Sequence, residues 1–258
     1  MPAALALASP PVPVTTCGQS VPKRGVLTGD LDCSALSGPA VVLGKTGKLD
    51  LAGFTLTGNL TGVQCEVGTC QVRGPGIIRR VAYDPMLNFS DTGCGIRAFR
   101  SVRVRDVTFQ NWNQGVRALD SVVVRNSTVE DGGWGVVGGP VTVLDSTITG
   151  SALAGVRAYE GTKDGVHYLF YACKVKGSTL SGNGVDIESY RRPVVRETSC
   201  TTSDQLTIPF GTPTAGATNG GVYALISARA SPLSAAATRR CASRLRSPVC
   251  RSGRAARS

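Results

Sequence analysis

The sequence predicts an all-β fold, a single-stranded parallel β-helix of about seven coils behind an N-terminal cap. Two observations predict it. From Gly95 to Arg157 the chain repeats itself, with a Gly followed by Val or Ile at 95, 115 and 135 and again at 155, a period of 20 residues. Within each period the apolar residues are mostly β-branched and alternate with polar ones, whereas a helical solenoid would need apolar residues three, four and seven apart. A unit this short cannot bury an apolar face alone, so fixed-period self-similarity marks stacked repeats.

The elements of one unit follow from the alternation. Val102, Val104, Val107 and Phe109 form two strands of period two joined by a one-residue phase break. The equivalent positions are Val122, Val124, Ser127 and Val129 in the next unit, and Val141, Val143, Ser146 and Ile148 in the one after. The break falls at Asp106, Asn126 and Asp145, residue types that tolerate left-handed or turn backbone. A third strand follows the Gly, with Ile96 and Ala98, Val116 and Ala118, or Val156 and Ala158 inward around an outward Arg.

The template extends outward from Leu49, Leu51, Phe54 and Leu56 to Cys173, Val175, Leu180 and Gly221-Val222, giving coils over residues 49–226. Residues 17–48 carry two short apolar runs bounded by Gly and Pro and are positioned as the N-terminal cap, because an open solenoid end exposes strand edges. Residues 1–16 read as a remnant secretory signal or a disordered arm. Residues 227–258, Ala/Arg/Ser-rich and without an acidic residue, read as a disordered basic tail with the character of out-of-frame translation. Three insertions interrupt the coils, at 79–94, 159–172 and 201–220. The first and third leave the same corner about five coils apart, or ~24 Å at ~4.8 Å per coil.

The formal charge of +11 resolves on division: eight Arg lie from Arg229 onward, so residues 1–228 carry 20 basic against 17 acidic groups. Nucleic acid is therefore not an expected partner of the body, which lacks a recognition-helix pattern and interleaved aromatics. No apolar run is long enough for a membrane-spanning helix. The nine cysteines lack a CxxC or Cys/His ligand pattern, which argues against zinc and for export with disulfides. Cys17 with Cys33, and Cys65 with Cys70 across one corner, are the candidate bridges; Cys173 and Cys200 read as buried free thiols.

The segment GDLDC, the following KLDLAGFTLTG and the series of Gly-Val/Ile coils resemble secreted bacterial right-handed parallel β-helix proteins of the pectate-lyase-like superfamily. The resemblance covers roughly residues 17–226 and implies a right-handed solenoid in a secreted, periplasmic or extracellular protein. It leaves function open, because this fold carries lyases, hydrolases, tailspikes and adhesins.

Outward positions stack into columns, which defines the candidate site residues. Arg97, Arg117 and Arg157 occupy one column, broken by Val137; Arg73, Arg105, Arg125, Lys176 and Arg196 occupy another. Such cation ladders suit the carboxylates of an acidic polysaccharide or form a solvated face. Trp112 and Trp134, with Tyr83 and Phe89 of the first insertion, either stack on sugar rings or pack the insertion against the coils. Asp91, Glu130 and Asp131 fall on the same side and, with Arg117 as base, are the weak catalytic candidates. In lyases resembling this fold, Ca²⁺ assists proton loss beside a carboxylate. No other cofactor and no resident metal are implied, and the lone His167 cannot build a multi-His site. The leading expectation is binding of a carbohydrate polymer on a lateral face. A polysaccharide lyase or hydrolase acting on a uronate polymer, and a structural or adhesin-like rod, are the alternatives.

Overall fold

The computed structural model describes residues 10–87, 92–158, 161–163, 166–168, 173–189, 193–200 and 223–225. Over these the chain is almost entirely strand, and its only helical piece is a 3-10 turn at Pro85–Leu87. Nine strands form one sheet, in the order Val12–Val14, Arg24–Leu27, Lys48–Asp50, Thr69–Arg73, Ser101–Arg105, Ser121–Arg125, Val141–Leu144, Cys173–Lys176 and Val194–Arg196. Every neighbouring pair in it is parallel. The chain thus leaves this sheet and returns beside its last position once per repeat.

The intervening strands form a second sheet of 15 strands, which curls because two of its members do not break at the corner. Thr128–Gly138 and Thr147–Ala158 run through it, joining strands such as Thr108–Gln110 on one side to Gln114–Ala118 on the other. The all-β, parallel-sheet architecture expected from the repeat is therefore present. Residues 17–48, expected as a cap, supply strands that continue both sheets in parallel, Arg24–Leu27 against Lys48–Asp50 in the first and Gln19–Val21 against Pro39–Leu43, itself against Thr61–Cys65, in the second.

The phase breaks have the expected backbone: φ is +59° at Asp106, +46° at Asn126 and +49° at Asp145, followed by Gly177 at +62°. Each left-handed residue reverses the inward face so that Val104 and Val107 can both point inside. A second column of left-handed residues, not evident in the sequence, turns the next corner at Asn111, Asp131, Gly150 and Gly182, with φ from +54° to +67°.

The glycine column has a different cause. A Cβ on Gly115 would lie 2.6 Å from the carbonyl oxygen of Gly135, one on Gly95 2.5 Å from that of Gly115, and one on Gly135 2.3 Å from that of Gly155. These glycines stand where adjacent backbones approach too closely for any side chain.

The interior is a continuous cluster of Val, Ile and Leu with Phe109 and Trp112. Trp112 is 1% exposed and lies against Gly58, Gly62 and Gly95, the nearest indole carbon being 3.0 Å from where a Gly58 Cβ would stand. Its Nε1–H donates to the Ile78 carbonyl at 3.0 Å, so burial leaves no polar atom unmet. The inward serines are likewise satisfied. Val107 N–H donates to Ser127 Oγ, Ser127 N–H to Ser146 Oγ and Ser146 N–H to Ser178 Oγ, each at 3.2 Å. Each of these hydroxyls donates to the carbonyl two residues before it.

Both expected disulfides are formed, Cys17–Cys33 and Cys65–Cys70. Cys173 is a buried free thiol as expected, and Cys94 is another. Cys200 corrects the reading: it is only half-buried and is disulfide-bonded, because it lies where the described core thins out beyond Leu180 and Ile187. The tail 227–258 and the third insertion lie outside the described residues.

Replacing Gly115 with Ala should cost about 1–3 kcal/mol in urea unfolding, since the added methyl must displace backbone. Gly29→Ala, where nothing lies within 4 Å, should change it by less than about 0.5 kcal/mol. Trp112→Ala should cost about 3–5 kcal/mol. Burial pushes the Cys173 thiol up to about 12 from 9.0, so it stays neutral in the fold and ionises first in the unfolded chain. Its contribution to stability is whole below pH 9 and is lost as pH rises toward 12. Iodoacetamide at pH about 8 should accordingly leave Cys173 unlabelled in native protein and label it after denaturation, as read by peptide mass mapping.

Candidate functional site

The expected Arg column exists in register. Arg97 lies beside Arg117, Arg117 beside Val137, and Val137 beside Arg157, with Gln64 before and Glu188 after. Its ends are already engaged. The Arg97 guanidinium lies 4.9 Å from the Phe99 ring centre. The Arg157 guanidinium stacks 4.2 Å over Trp134 and approaches Glu188 at 3.4 Å, an ion pair too misaligned to give its Nε a hydrogen bond.

The tryptophans do not form a shared platform. Trp112 belongs to the main interior, while Trp134 is 8% exposed in a separate cluster with Val137 and Ala154. Of the two readings, stacking on sugar rings or packing, burial of Trp112 accords with packing: three residues before Gly115, its ring fills the notch left by Gly58, Gly62 and Gly95.

Tyr83 is half-buried in the first insertion, whose base is pinned by a buried cation. Arg80 donates to the Asn59 carbonyl at 2.7 Å and to Asn113 Oδ1 at 2.9 Å, with the Asp84 carboxylate 4.0 Å away. Burial pulls the Arg80 pKa down, with Asp84 opposing.

Among the carboxylates, Asp91 lies outside the described residues, as does Phe89. Glu130 stands in the row Arg79, Gln110, Glu130, Thr149 and accepts from Gln110 Nε2 at 2.7 Å; exposed Asp131 forms the left-handed corner after it. Arg117 stands in a different row, beyond that corner. His167 lies in Val166–Tyr168, paired antiparallel with Gly161–Lys163 in the second insertion. Among the described residues no three His, Cys, Asp or Glu side chains are grouped to hold a metal ion.

The larger assembly of charge lies elsewhere, on the outer face of the nine-stranded sheet. One row reads Asp50, Arg73, Arg105, Arg125, Leu144, Lys176, Arg196. Two residues earlier on each strand, a parallel row reads Arg24, Lys48, Gln71, Arg103, Val123, Thr142, Lys174. Between Arg24 and Arg125 this face forms a groove of about 820 Å³ whose charged lining is Arg24, Lys48, Arg73, Arg103, Arg105 and Arg125 against Asp50 alone. No family model, no curated protein and no solved structure matches the chain.

Some of these cations are neutralised locally. Arg73 pairs with Asp50 at 2.5 Å, Arg105 with Asp106 at 3.0 Å, and Lys176 with Glu197 at 3.8 Å. Arg24, Lys48, Arg103 and Arg125 have no ion-pair partner among the described residues. The Arg73, Arg105 and Arg125 row was legible in the sequence, whereas Arg24 and Lys48 were hidden in the segment read as a cap. Arg103 carried a usable signal, since it stands two residues before Arg105 and so shares its face.

Proposed function

We propose that the protein is an exported, right-handed parallel β-helix of about seven coils that binds an acidic carbohydrate polymer along the outer face of its nine-stranded sheet. The observation that carries this is a set of exposed cations, Arg24, Lys48, Arg103 and Arg125, that have no ion-pair partner among the described residues and share one groove whose described lining holds a single carboxylate. Neighbouring strands stand about 4.8 Å apart, so cations recur along the groove at a spacing that favours a linear ligand with repeated anionic groups. Guanidinium groups engage carboxylates with two parallel hydrogen bonds, which adds orientation to attraction.

Two further facts support the reading over nucleic acid. Among the described residues no aromatic side chain lines the groove, so bases find no stacking platform there. The two disulfides favour an oxidising compartment outside the cytoplasm, and no helix among the described residues is long and apolar enough to cross a membrane. The right hand follows the strong preference of parallel crossovers, and the strands before Leu49 lengthen the coiled column read from the repeat.

The test is retention of the full chain on immobilised polygalacturonate at low and high salt. Wild type should bind and elute as salt rises. Arg103→Ala and Arg125→Ala should each weaken binding about tenfold, the cost of one charge-assisted contact, without changing the thermal midpoint. Equal affinity of both variants and wild type, or retention by single-stranded DNA and not by any uronate polymer, overturns the proposal.

A further inference from the structure

The cations of the nine-stranded sheet continue past the end of the groove. Beyond Arg125, Lys174 and Arg196 are also exposed and have no ion-pair partner among the described residues, Glu197 being engaged by Lys176 at 3.8 Å. With Arg24, Lys48, Arg103 and Arg125 they occupy the second, third, fifth, sixth, eighth and ninth strands in the order of the sheet. The fourth strand offers Gln71 and an Arg73 already held by Asp50, and the seventh offers half-buried Thr142 and Leu144. Available positive charge therefore comes in pairs on adjacent strands, with one strand that supplies none between each pair and the next.

We infer that these three pairs are one binding face, and that its ligand is a long linear polyanion lying across the strands from Arg24 to Arg196 rather than a short oligosaccharide confined to the groove. This rests on the polyanion reading and extends it past the break at Thr142 and Leu144. With parallel strands ~4.8 Å apart, the pairs recur every ~14 Å over a full span of ~34 Å. In the second and third pairs the later cation stands two residues further along its strand, so the line of charge runs obliquely. A chain of ~20 Å has two equivalent seats, from Arg24 to Arg125 and from Arg103 to Arg196, which share the central pair Arg103 and Arg125; a chain of ~34 Å reaches all three pairs at once. Each further pair reached by the same chain adds affinity without a second association in solution.

The experiment titrates the full chain calorimetrically, at low salt, with two size-fractionated oligogalacturonates whose extended lengths are about 20 Å and about 35 Å, to match one seat and the whole face. A thermal melt checks that each variant folds. Wild type should bind the longer chain at least about tenfold more tightly than the shorter. Arg24→Ala, Lys174→Ala and Arg196→Ala should each weaken binding of the longer chain about tenfold and of the shorter at most about twofold, because the untouched seat remains. Arg103→Ala, in the pair that both seats share, should weaken both about tenfold. If Lys174→Ala and Arg196→Ala both leave the longer chain's affinity unchanged while Arg103→Ala lowers it, the ligand is confined to the groove and the inference is overturned; equal affinity of wild type for the two lengths overturns it as well. If wild type binds neither chain, the polyanion reading itself falls.

Discussion

The close stacking of one backbone on the next is the constraint from which the rest follows. The carbonyl oxygen of each glycine at 115, 135 and 155 sits within 2.3 to 2.6 Å of where the preceding glycine would carry a Cβ. That approach holds successive repeats in a single register. Once register is fixed, every inward position stacks on an inward one, every corner on a corner and every outward charge on an outward charge. The Val, Ile and Leu interior, the serine chain and the cation rows are consequences of that alignment.

The repeat was readable because side-chain alternation and corner residues are local signals. Val102, Val104, Val107 and Phe109 declare two strands and a break without reference to anything distant, and Asp106, Asn126 and Asp145 sit where the left-handed backbone is found. Ser127 and Ser146 looked like gaps in an apolar row, and only the neighbouring repeats show that each hydroxyl receives the N–H of the one before. The corner before the glycine column was read from the repeat, but its left-handed residues Asn111 and Asp131 were not, and Thr128–Gly138 hydrogen-bonds straight through it.

Site residues were less legible, because a column predicts which residues are adjacent but not which are already spoken for. Arg157 is held between Trp134 and Glu188, and Arg105 leans on Asp106. Trp112 has the composition of a sugar platform and the environment of a core residue, sealed by three glycines that make room for its ring. What distinguishes the groove face is that Arg24, Lys48, Arg103 and Arg125 lack such local company among the described residues.

The serine chain has a direction. Each hydroxyl takes a hydrogen bond from the repeat before it and gives its own to the backbone of its own repeat, so from Val107 to Ser178 the backbone N–H donors all point toward the following repeat. Within each step the hydroxyl accepts and donates at once, and the two bonds polarise one another. The interior of this apolar column therefore carries a row of identical polar steps with a built-in sense, which distinguishes one end of an otherwise repetitive body from the other.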